Sequence, residues 1–411
     1  MRTPSRIAAL ALLPLIAALA LPAAAEVKLA YIDPLSGGAA SAGINSQKHF
    51  LYLVDKINAA GGLNGEKLAI TFYDNKVDPQ ESLIALKKAL DEGARYVFQG
   101  NGSAVALALS DAIVKYNERN PGKEVLYFNY AAVDPALTNA KCNFWHFRFD
   151  SDADMKMSAL VSEIAKTPQV KKIYLINQDY SFGKAVAAAA RKILGEKRSD
   201  IQIVGDELHP LQKVQDFSPY VAKIKASGAD AVITGNWSND MFLLLKAGKD
   251  AGLKVTWYTF YADALGAPTA IGRDGNGVVK VVTSFTTNAL PELDPDVAAF
   301  KKRFSAKEDE FNYYRLNTAF MMFAAAAAKA KSNDPVKVAR ALEGMKWMSS
   351  VGEVEMRADN HQLLQPLYVA TFTDKVKFDV EKTGLGFKTD LKVDAKDTAM
   401  PTTCQMQRPS P

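Results

Sequence analysis

The sequence predicts an α/β fold made of two lobes, each built around a parallel sheet with helices on both faces. Apolar segments of strand length alternate with segments of helix length between residues 27 and 128, and the alternation restarts near residue 150. Such alternation is typical of βαβ units. The 411 residues, of which 48% are hydrophobic and 23% charged, fit two globular domains of about 150 residues or more each.

The first 25 residues have the pattern of a secretory signal peptide. Arg2 and Arg6 precede an apolar run from Ile7 to Leu21, and three alanines follow as a small-residue cleavage site before Glu26. The apolar run is too short to span a bilayer, which needs about 20 residues. We therefore expect an exported protein whose mature chain begins at Glu26.

The first run of elements begins directly after this segment. Its predicted strands are residues 27–32, 67–73, 96–98 and 124–128, and its predicted helices are residues 42–60, 79–91 and 103–116. Gly61 and Gly62 end the first helix, because glycine accepts the left-handed conformation at a helix C-terminus. Pro79 suits the first turn of the second helix.

The second run follows a predicted change of lobe near residues 144–148, and a third section differs from both. The second run has predicted helices at 150–165, 182–194, 217–225 and 240–251 and strands at 172–176, 201–204, 231–233 and 254–259. The third section has predicted helices at 296–304, 312–330 and 335–342, a hairpin-like segment at 353–372 and a peripheral tail at 387–411.

Charge and motifs argue against several function classes. A net charge of +5 is too small for a nucleic-acid footprint, and no later segment has the length of a membrane span. The nucleophile-elbow, phosphate-loop and zinc-protease motifs do not occur. We interpret the four histidines (His49, His146, His209 and His361) as surface or packing residues, and we predict no catalytic residue, metal or cofactor.

The chain has two cysteines, Cys142 and Cys404. In an exported protein the simplest prediction is one disulfide between them, which would tie the tail to the region of the first lobe crossing. Two separate thiols are the alternative.

Several short motifs resemble those of periplasmic leucine/isoleucine/valine-type binding proteins. They lie at residues 34–37, 57–65, 73–75, 78–79, 135–138 and 179–183. The resemblance implies a type I periplasmic binding protein, with two doubly wound α/β lobes joined by three crossover segments near residues 148, 283 and 351. It implies an N-terminal lobe of residues 26–148 plus 284–350 and a C-terminal lobe of 149–283 plus 351–386.

The same resemblance implies a set of ligand-binding positions. Ser103, at the start of a helix, matches the carboxylate anchor, Ala131 and Val133 fall in a small-residue turn, and Phe182 and Trp237 match aromatic positions of the second lobe. Tyr261 replaces the acid that pairs with an α-ammonium group, and Val133 replaces a threonine. The nearest acid is Asp263, two residues beyond Tyr261.

These departures favour a ligand without an ammonium group, since an unpaired buried charge costs several kcal/mol. Asp263 could restore the pairing, so an amino acid stays open. An aromatic lining is predicted from Tyr130, Phe182, Trp237, Tyr258 and Tyr261, each of which could equally pack in the core.

The resemblance therefore implies a monomeric periplasmic receptor that carries a branched-chain or related amino acid, or an aromatic or aliphatic carboxylate, to the inner-membrane permease subunits of an ABC transporter. A periplasmic sensor of the same fold is the first alternative. A secreted α/β hydrolase is the second, although its nucleophile motif is missing.

Overall fold

A computed structural model describes residues 26–292, 294–304, 314–379 and 381–409 of the chain. The predicted signal peptide, the first two residues of the predicted helix 312–330 and the last two residues of the tail lie outside this description. Within the described residues, no helix combines the length and the apolar character that a membrane crossing requires.

The N-terminal part of the chain forms a five-stranded parallel sheet. Its elements are β1 (Glu26–Asp33), α1 (Ala40–Ala59), β2 (Lys67–Asp74), α2 (Pro79–Asp91), β3 (Tyr96–Gln99), α3 (Ser103–Arg119), β4 (Leu126–Asn129) and β5 (His146–Arg148). The strand order is β2-β1-β3-β4-β5, and every pair is parallel. Asp78 caps α2 by accepting the amides of Gln80 and Glu81, with Pro79 in the first turn.

The middle of the chain forms most of a second sheet. Its elements are α4 (Ala153–Ile164), β6 (Lys172–Gln178), α5 (Ser181–Lys197), β7 (Gln202–His209), α6 (Ser218–Ser227), β8 (Ala231–Thr234), α7 (Asn239–Asp250), β9 (Thr256–Thr259), α8 (Ala267–Ile271) and β10 (Val279–Thr283). These five strands pair in parallel. A parallel sheet and a second, mainly parallel sheet from consecutive parts of the chain, both covered by helices, confirm the predicted fold class.

The third section returns to the first sheet. It contains α9 (Asp296–Phe304), α10 (Tyr314–Ala330), α11 (Pro335–Leu342) and a small antiparallel sheet of β11 (Lys346–Ser349), β12 (Gly352–Met356) and β13 (Leu363–Leu364). Phe320 and Phe323 of α10 pack against Phe98 of β3, with ring centroids 5.5 and 6.0 Å apart. We call these elements, together with the five-stranded sheet and its helices, the first lobe.

The chain then adds two more strands to the second sheet. β14 (Leu367–Thr373) pairs antiparallel with β10, and β15 (Gly386–Val393) pairs antiparallel with β14. The resulting order is β15-β14-β10-β9-β8-β6-β7. We call this seven-stranded sheet and the helices α4–α8 the second lobe.

Two of the predicted boundaries differ from the structure. The hairpin-like segment 353–372 divides between the lobes, because Val354, Met356 and Leu363 are buried in the first-lobe core and β14 belongs to the second sheet. The third crossing therefore lies between residues 364 and 367 rather than near residue 351. The segment predicted as a tail from residue 387 begins inside β15.

Arg148, at the first crossing, is fully buried and joins two crossings. Its Nη1 donates to the Asp134 carbonyl at 2.6 Å, its Nη2 to Asp152 Oδ2 at 2.9 Å and its Nε to Gln362 Oε1 at 2.5 Å. Gln362, just before the third crossing, donates in turn to the Asp150 carbonyl at 2.9 Å. A buried guanidinium is stable only when its donors are used, so this network fixes the hinge side of the cleft.

The C-terminal tail forms a further link between the lobes. It leaves β15 of the second sheet and returns to the first lobe, where Cys404 forms a disulfide with Cys142 with Cα atoms 5.7 Å apart. Nearby, the Thr402 hydroxyl donates to the Thr138 carbonyl at 3.3 Å, and Arg357 donates to the Met400 carbonyl at 2.7 Å.

Candidate functional site

A cleft lies between the two lobes, where the carboxyl ends of strands from both sheets meet. It encloses about 1480 Å³, counting the part open to solvent, and both lobes line it. The loops that follow β3 and β4 form its first-lobe wall, and the loops that follow β6, β8 and β9 form its second-lobe wall. Strand ends of this kind are where α/β sheets bind ligands.

The loop from Gly100 to Ser103 contributes the start of α3 to the first-lobe wall. Gly102, the N-cap residue of α3, has φ +97° and has no side chain that could cap this helix end. Ser103 is 2% exposed, and its Oγ accepts the Asp134 amide at 3.3 Å. The hydroxyl hydrogen and the first-turn amides of α3 are thereby left to bind a negatively charged group.

The turn after β4 is shaped by Asn129. Its Oδ1 accepts the amides of Ala131 and Ala132 at 3.2 and 2.7 Å, and its Nδ2 donates to the Ala132 carbonyl at 2.8 Å. Ala131 and Val133 line the cleft. Val133 also packs in the core cluster of the second lobe, so this turn is a contact between the lobes.

Aromatic side chains dominate the second-lobe wall. Phe182, Trp237 and Tyr261 line the cleft, and so does Tyr180, which sequence reasoning missed. The Trp237 indole donates to the Tyr180 hydroxyl at 2.8 Å, and the Phe182 ring lies 6.0 Å from the Tyr261 ring. The sequence carried a signal for Tyr180 as a lining residue, because it lies directly before α5 in the motif at residues 179–183.

Two predicted lining residues lie elsewhere. Tyr130 is 1% exposed and sits behind the Gly100 loop, so close that a Cβ at Gly100 would lie 2.5 Å from its ring. Tyr258 is fully buried in the core of the second lobe. Both predictions were wrong because the side chains point into the lobes rather than toward the facing lobe.

Charged groups occupy the remaining part of the cleft. Asp263 lines it, and so does Arg315, the first residue after the start of α10. Asp150 lies 3.0 Å from Lys156 Nζ and 3.6 Å from Arg315 Nη1, and Lys156 lies over the Tyr261 ring. Burial raises the pKa of Asp263, against the Thr283 hydroxyl and the cations of Arg315 and Lys156.

Arg315 was not predicted, although the sequence carried a signal for it. It is the only charged residue of α10 before Lys329, in a helix that is otherwise almost entirely apolar. A lone cation on a buried helix is expected to have a specific partner or role.

The four histidines are all buried and serve packing. His361 stacks on Phe147 with ring centroids 3.9 Å apart, and His209 Nε2 donates to Asn236 Oδ1 at 3.0 Å. Among the described residues, no three His, Cys, Asp or Glu side chains are grouped closely enough to hold a metal ion.

The lobes touch at the mouth of the cleft. The Ser238 hydroxyl of the second lobe donates to the Gly38 carbonyl of the first at 3.0 Å. Ala39 is 2% exposed and belongs to the second-lobe core cluster. These contacts describe a closed arrangement of the two lobes.

Comparison with known proteins agrees with this architecture. The family model described as "Periplasmic binding protein" matches residues 26–377. A Leu/Ile/Val-binding protein homolog 4 from Brucella melitensis is 35% identical over 393 residues, covering 94% of each chain.

Solved structures agree as well. The closed conformation of a leucine-, isoleucine-, valine-, threonine- and alanine-binding protein from Brucella ovis is 34% identical, with a TM-score of 0.81 over 94% of this chain and 100% of the other. A Rhodopseudomonas palustris BisB5 ABC-transporter solute-binding protein, solved with 3,4-dihydroxybenzoic acid, is 19% identical with a TM-score of 0.77 over 90% of this chain and 98% of the other, and shows the shared fold. The chain therefore belongs to the periplasmic binding protein family.

Proposed function

We propose that the protein binds an α-amino acid with an apolar side chain in the cleft and delivers it to the permease of an ABC importer. The observation that carries this proposal is the composition of the cleft, which combines an uncapped helix start, a carboxylate and an aromatic wall. The Brucella melitensis relative is named a Leu/Ile/Val-binding protein homolog, and the Brucella ovis protein is described as binding leucine, isoleucine, valine, threonine and alanine, which supports the same ligand class.

The carboxylate of the ligand is assigned to the start of α3. The Ser103 hydroxyl and the first-turn amides supply neutral donors, and the positive end of the helix dipole adds about 0.3–1 kcal/mol for a negative charge at such a site. Because these donors are fixed by the backbone, they hold a carboxylate in one orientation.

The ammonium group of the ligand is assigned to Asp263. The sequence favoured a ligand without this group, because Tyr261 replaces the expected acid. Asp263 nevertheless lines the cleft. The four charges of this region, from Asp150, Lys156, Asp263 and Arg315, are balanced in number, which suits a zwitterion better than an anion.

The apolar side chain of the ligand is assigned to the aromatic wall. Tyr180, Phe182, Trp237 and Tyr261 together offer a surface that removes aliphatic or aromatic groups from water, worth about 25 cal/mol per Å² buried. Ligand held by both lobes favours their closed arrangement, so binding shifts the population toward closure.

The test is a calorimetric titration of leucine and phenylalanine beside their deaminated counterparts, 4-methylpentanoate and 3-phenylpropanoate. We expect the amino acids to bind at least tenfold more tightly, which corresponds to about 1.4 kcal/mol. Asp263→Asn should abolish that preference, whereas Asp274→Asn, at an exposed acid outside the cleft, should retain it. Equal affinity for both sets would refute the role of Asp263.

An aromatic carboxylate is the second candidate, and the four rings of the second-lobe wall favour it. Benzoate and 4-hydroxybenzoate belong in the same titration series. Tight binding of these acids with no binding of leucine would select this candidate over the amino acid.

We further infer export to the periplasm, with cleavage before Glu26, and action as a monomer. The charge and apolar pattern of residues 1–25 supports export. Mass spectrometry of the mature protein from the periplasmic fraction would give the N-terminus, and light scattering would give the oligomeric state.

A further inference from the structure

Asp33 is a fully buried carboxylate directly behind the first-lobe wall of the cleft. It is the last residue of β1 and is 0% exposed. Its Oδ2 accepts the Gly100 amide at 3.0 Å, and its Oδ1 accepts the Asn101 amide at 2.9 Å. Both oxygens are therefore used to hold the backbone of the loop that leads into α3.

Tyr130 completes this arrangement from the other side. Its hydroxyl donates to Asp33 Oδ2 and accepts from Asn101 Nδ2 at 3.1 Å, while its ring packs against Gly100. The Tyr31 hydroxyl lies 3.4 Å from that of Tyr130. The loop is thus fixed by its backbone amides, by one side chain and by close packing.

This carboxylate is unusual because its hydrogen-bond partners among the described residues are all neutral groups. In the described part of the chain, no lysine or arginine forms an ion pair with Asp33, and the titratable groups that face it are the hydroxyls of Tyr31, Tyr127 and Tyr130. Burial raises the pKa of Asp33 to about 7, against the bonds from Tyr130, Asn101 and Gly100. A buried charge of this kind is costly for folding, and its retention needs another reason.

We propose that Asp33 is a positioning residue for the ligand cleft, which holds the loop from Gly100 to Ser103 in the conformation that presents the start of α3. This inference rests on the proposed function, in which that helix start binds the ligand carboxylate. Asp33 does not line the cleft and acts only through the loop. A fixed loop avoids the ordering cost that a mobile one would incur on binding.

The first arm of the test is the affinity of Asp33→Asn for leucine. The asparagine amide can accept one loop amide, but its NH₂ group would face the other as donor against donor. We expect the affinity to fall at least tenfold. Asp334→Asn is the matched control, because Asp334 also accepts two backbone amides, at the start of α11 and away from the cleft. Unchanged affinity in Asp33→Asn, or an equal loss in Asp334→Asn, would overturn the proposal.

The second arm uses the ligand-free wild-type protein. The Gly100 and Asn101 amide resonances should titrate with pH around 7 in TROSY spectra. Asp33→Asn should abolish this titration, whereas Tyr130→Phe should retain it. Gly100 and Asn101 amide resonances that are the same in Asp33→Asn as in the wild type would overturn the proposal. If leucine does not bind the wild type, the proposed function fails, while this arm still decides whether Asp33 governs the loop.

Discussion

The two walls of the cleft differ in the kind of group that they present. The first-lobe wall consists of small residues such as Gly100, Gly102 and Ala131 on a backbone fixed by buried polar side chains. The second-lobe wall consists of large aromatic rings, with Trp237 bonded to Tyr180 and Phe182 packed beside Tyr261.

This difference separates two tasks of recognition. Backbone amides and a hydroxyl in a fixed loop suit a charged group that is common to a whole ligand class. Rings suit the variable apolar part, because they contribute area and shape rather than directed bonds. Substitutions in the first lobe should therefore change affinity for all ligands, whereas substitutions in the second should change stability and ligand choice.

The largest expected effect is that of Phe182→Ala on stability. Phe182 is nearly fully buried, and its ring packs so closely on Gly235 that a Cβ there would lie 3.1 Å from it. Removing a buried phenylalanine side chain leaves a cavity and costs about 3–5 kcal/mol. Urea unfolding measures the loss, with Phe182→Leu as a milder control. A loss below about 1 kcal/mol would mean that the second-lobe wall is not part of the core.

In the first lobe, by contrast, a buried side chain should lower the stability of the protein, and the pH dependence of unfolding should reveal this effect of Asp33. The pKa of Asp33 is about 7 in the folded protein and 3.8 as its ordinary value. The folded state therefore keeps a proton that the unfolded state releases, so the stabilisation is complete below pH 3.8 and is lost as the pH rises to about 7. At 1.36 kcal/mol per pH unit, the loss is up to about 4 kcal/mol.

Unfolding free energies of the wild type and Asp33→Asn measured between pH 4 and 8 test this. The difference between the two proteins should shift in favour of the variant as the pH rises, and should level off above about 7. A constant difference across this range would show that Asp33 does not titrate there. If Asp33→Asn also loses affinity as proposed above, this pH-dependent difference would mean that Asp33 lowers the stability of the first lobe while it fixes the loop.

Local sequence patterns predicted much of the fold and less of the cleft. Alternating strands and helices with glycine and proline at their ends predicted both sheets, because these signals act over a few residues. The segment 353–372 was wrongly predicted to form one hairpin-like unit, because no local signal determines which sheet a short strand joins. Val354 and Tyr368 lie in the same predicted hairpin-like segment, yet they belong to different lobes.

The same distinction applies to the cleft. Ser103, Phe182 and Trp237 follow the ends of predicted strands, and the structure brings all three to the cleft wall. Arg315 reaches it from a distant helix, and Asp33 acts through a loop 67 residues away in sequence. Tyr130 also follows a strand end, but the direction of its side chain depends on packing against Gly100. Such long-range contacts leave little trace in a single sequence.

A smaller effect is expected from the covalent link between the lobes. Replacing Cys142 and Cys404 by serine removes a disulfide that ties the tail of the second sheet to the first lobe. The loss should lower stability by about 2–4 kcal/mol, by releasing the unfolded chain from a long closed loop. Thiol titration of the denatured, unreduced wild type should find no free thiol, and finding two would disprove the link.

The smallest expected effect, and the sharpest for the comparison of the two walls, is that of Ser103→Ala on affinity. Losing a hydrogen bond to a charged group costs about 1.5–3 kcal/mol, and the loss should be similar for leucine, valine and phenylalanine because they share the carboxylate. Ser110→Ala is the control, since Ser110 is buried on the same helix and accepts from Asn143 at 2.8 Å. That change should alter stability and leave affinity unchanged. A loss in Ser103→Ala that differs strongly between ligands would mean that the first-lobe wall reads the side chain as well, and the division of tasks between the lobes would fail.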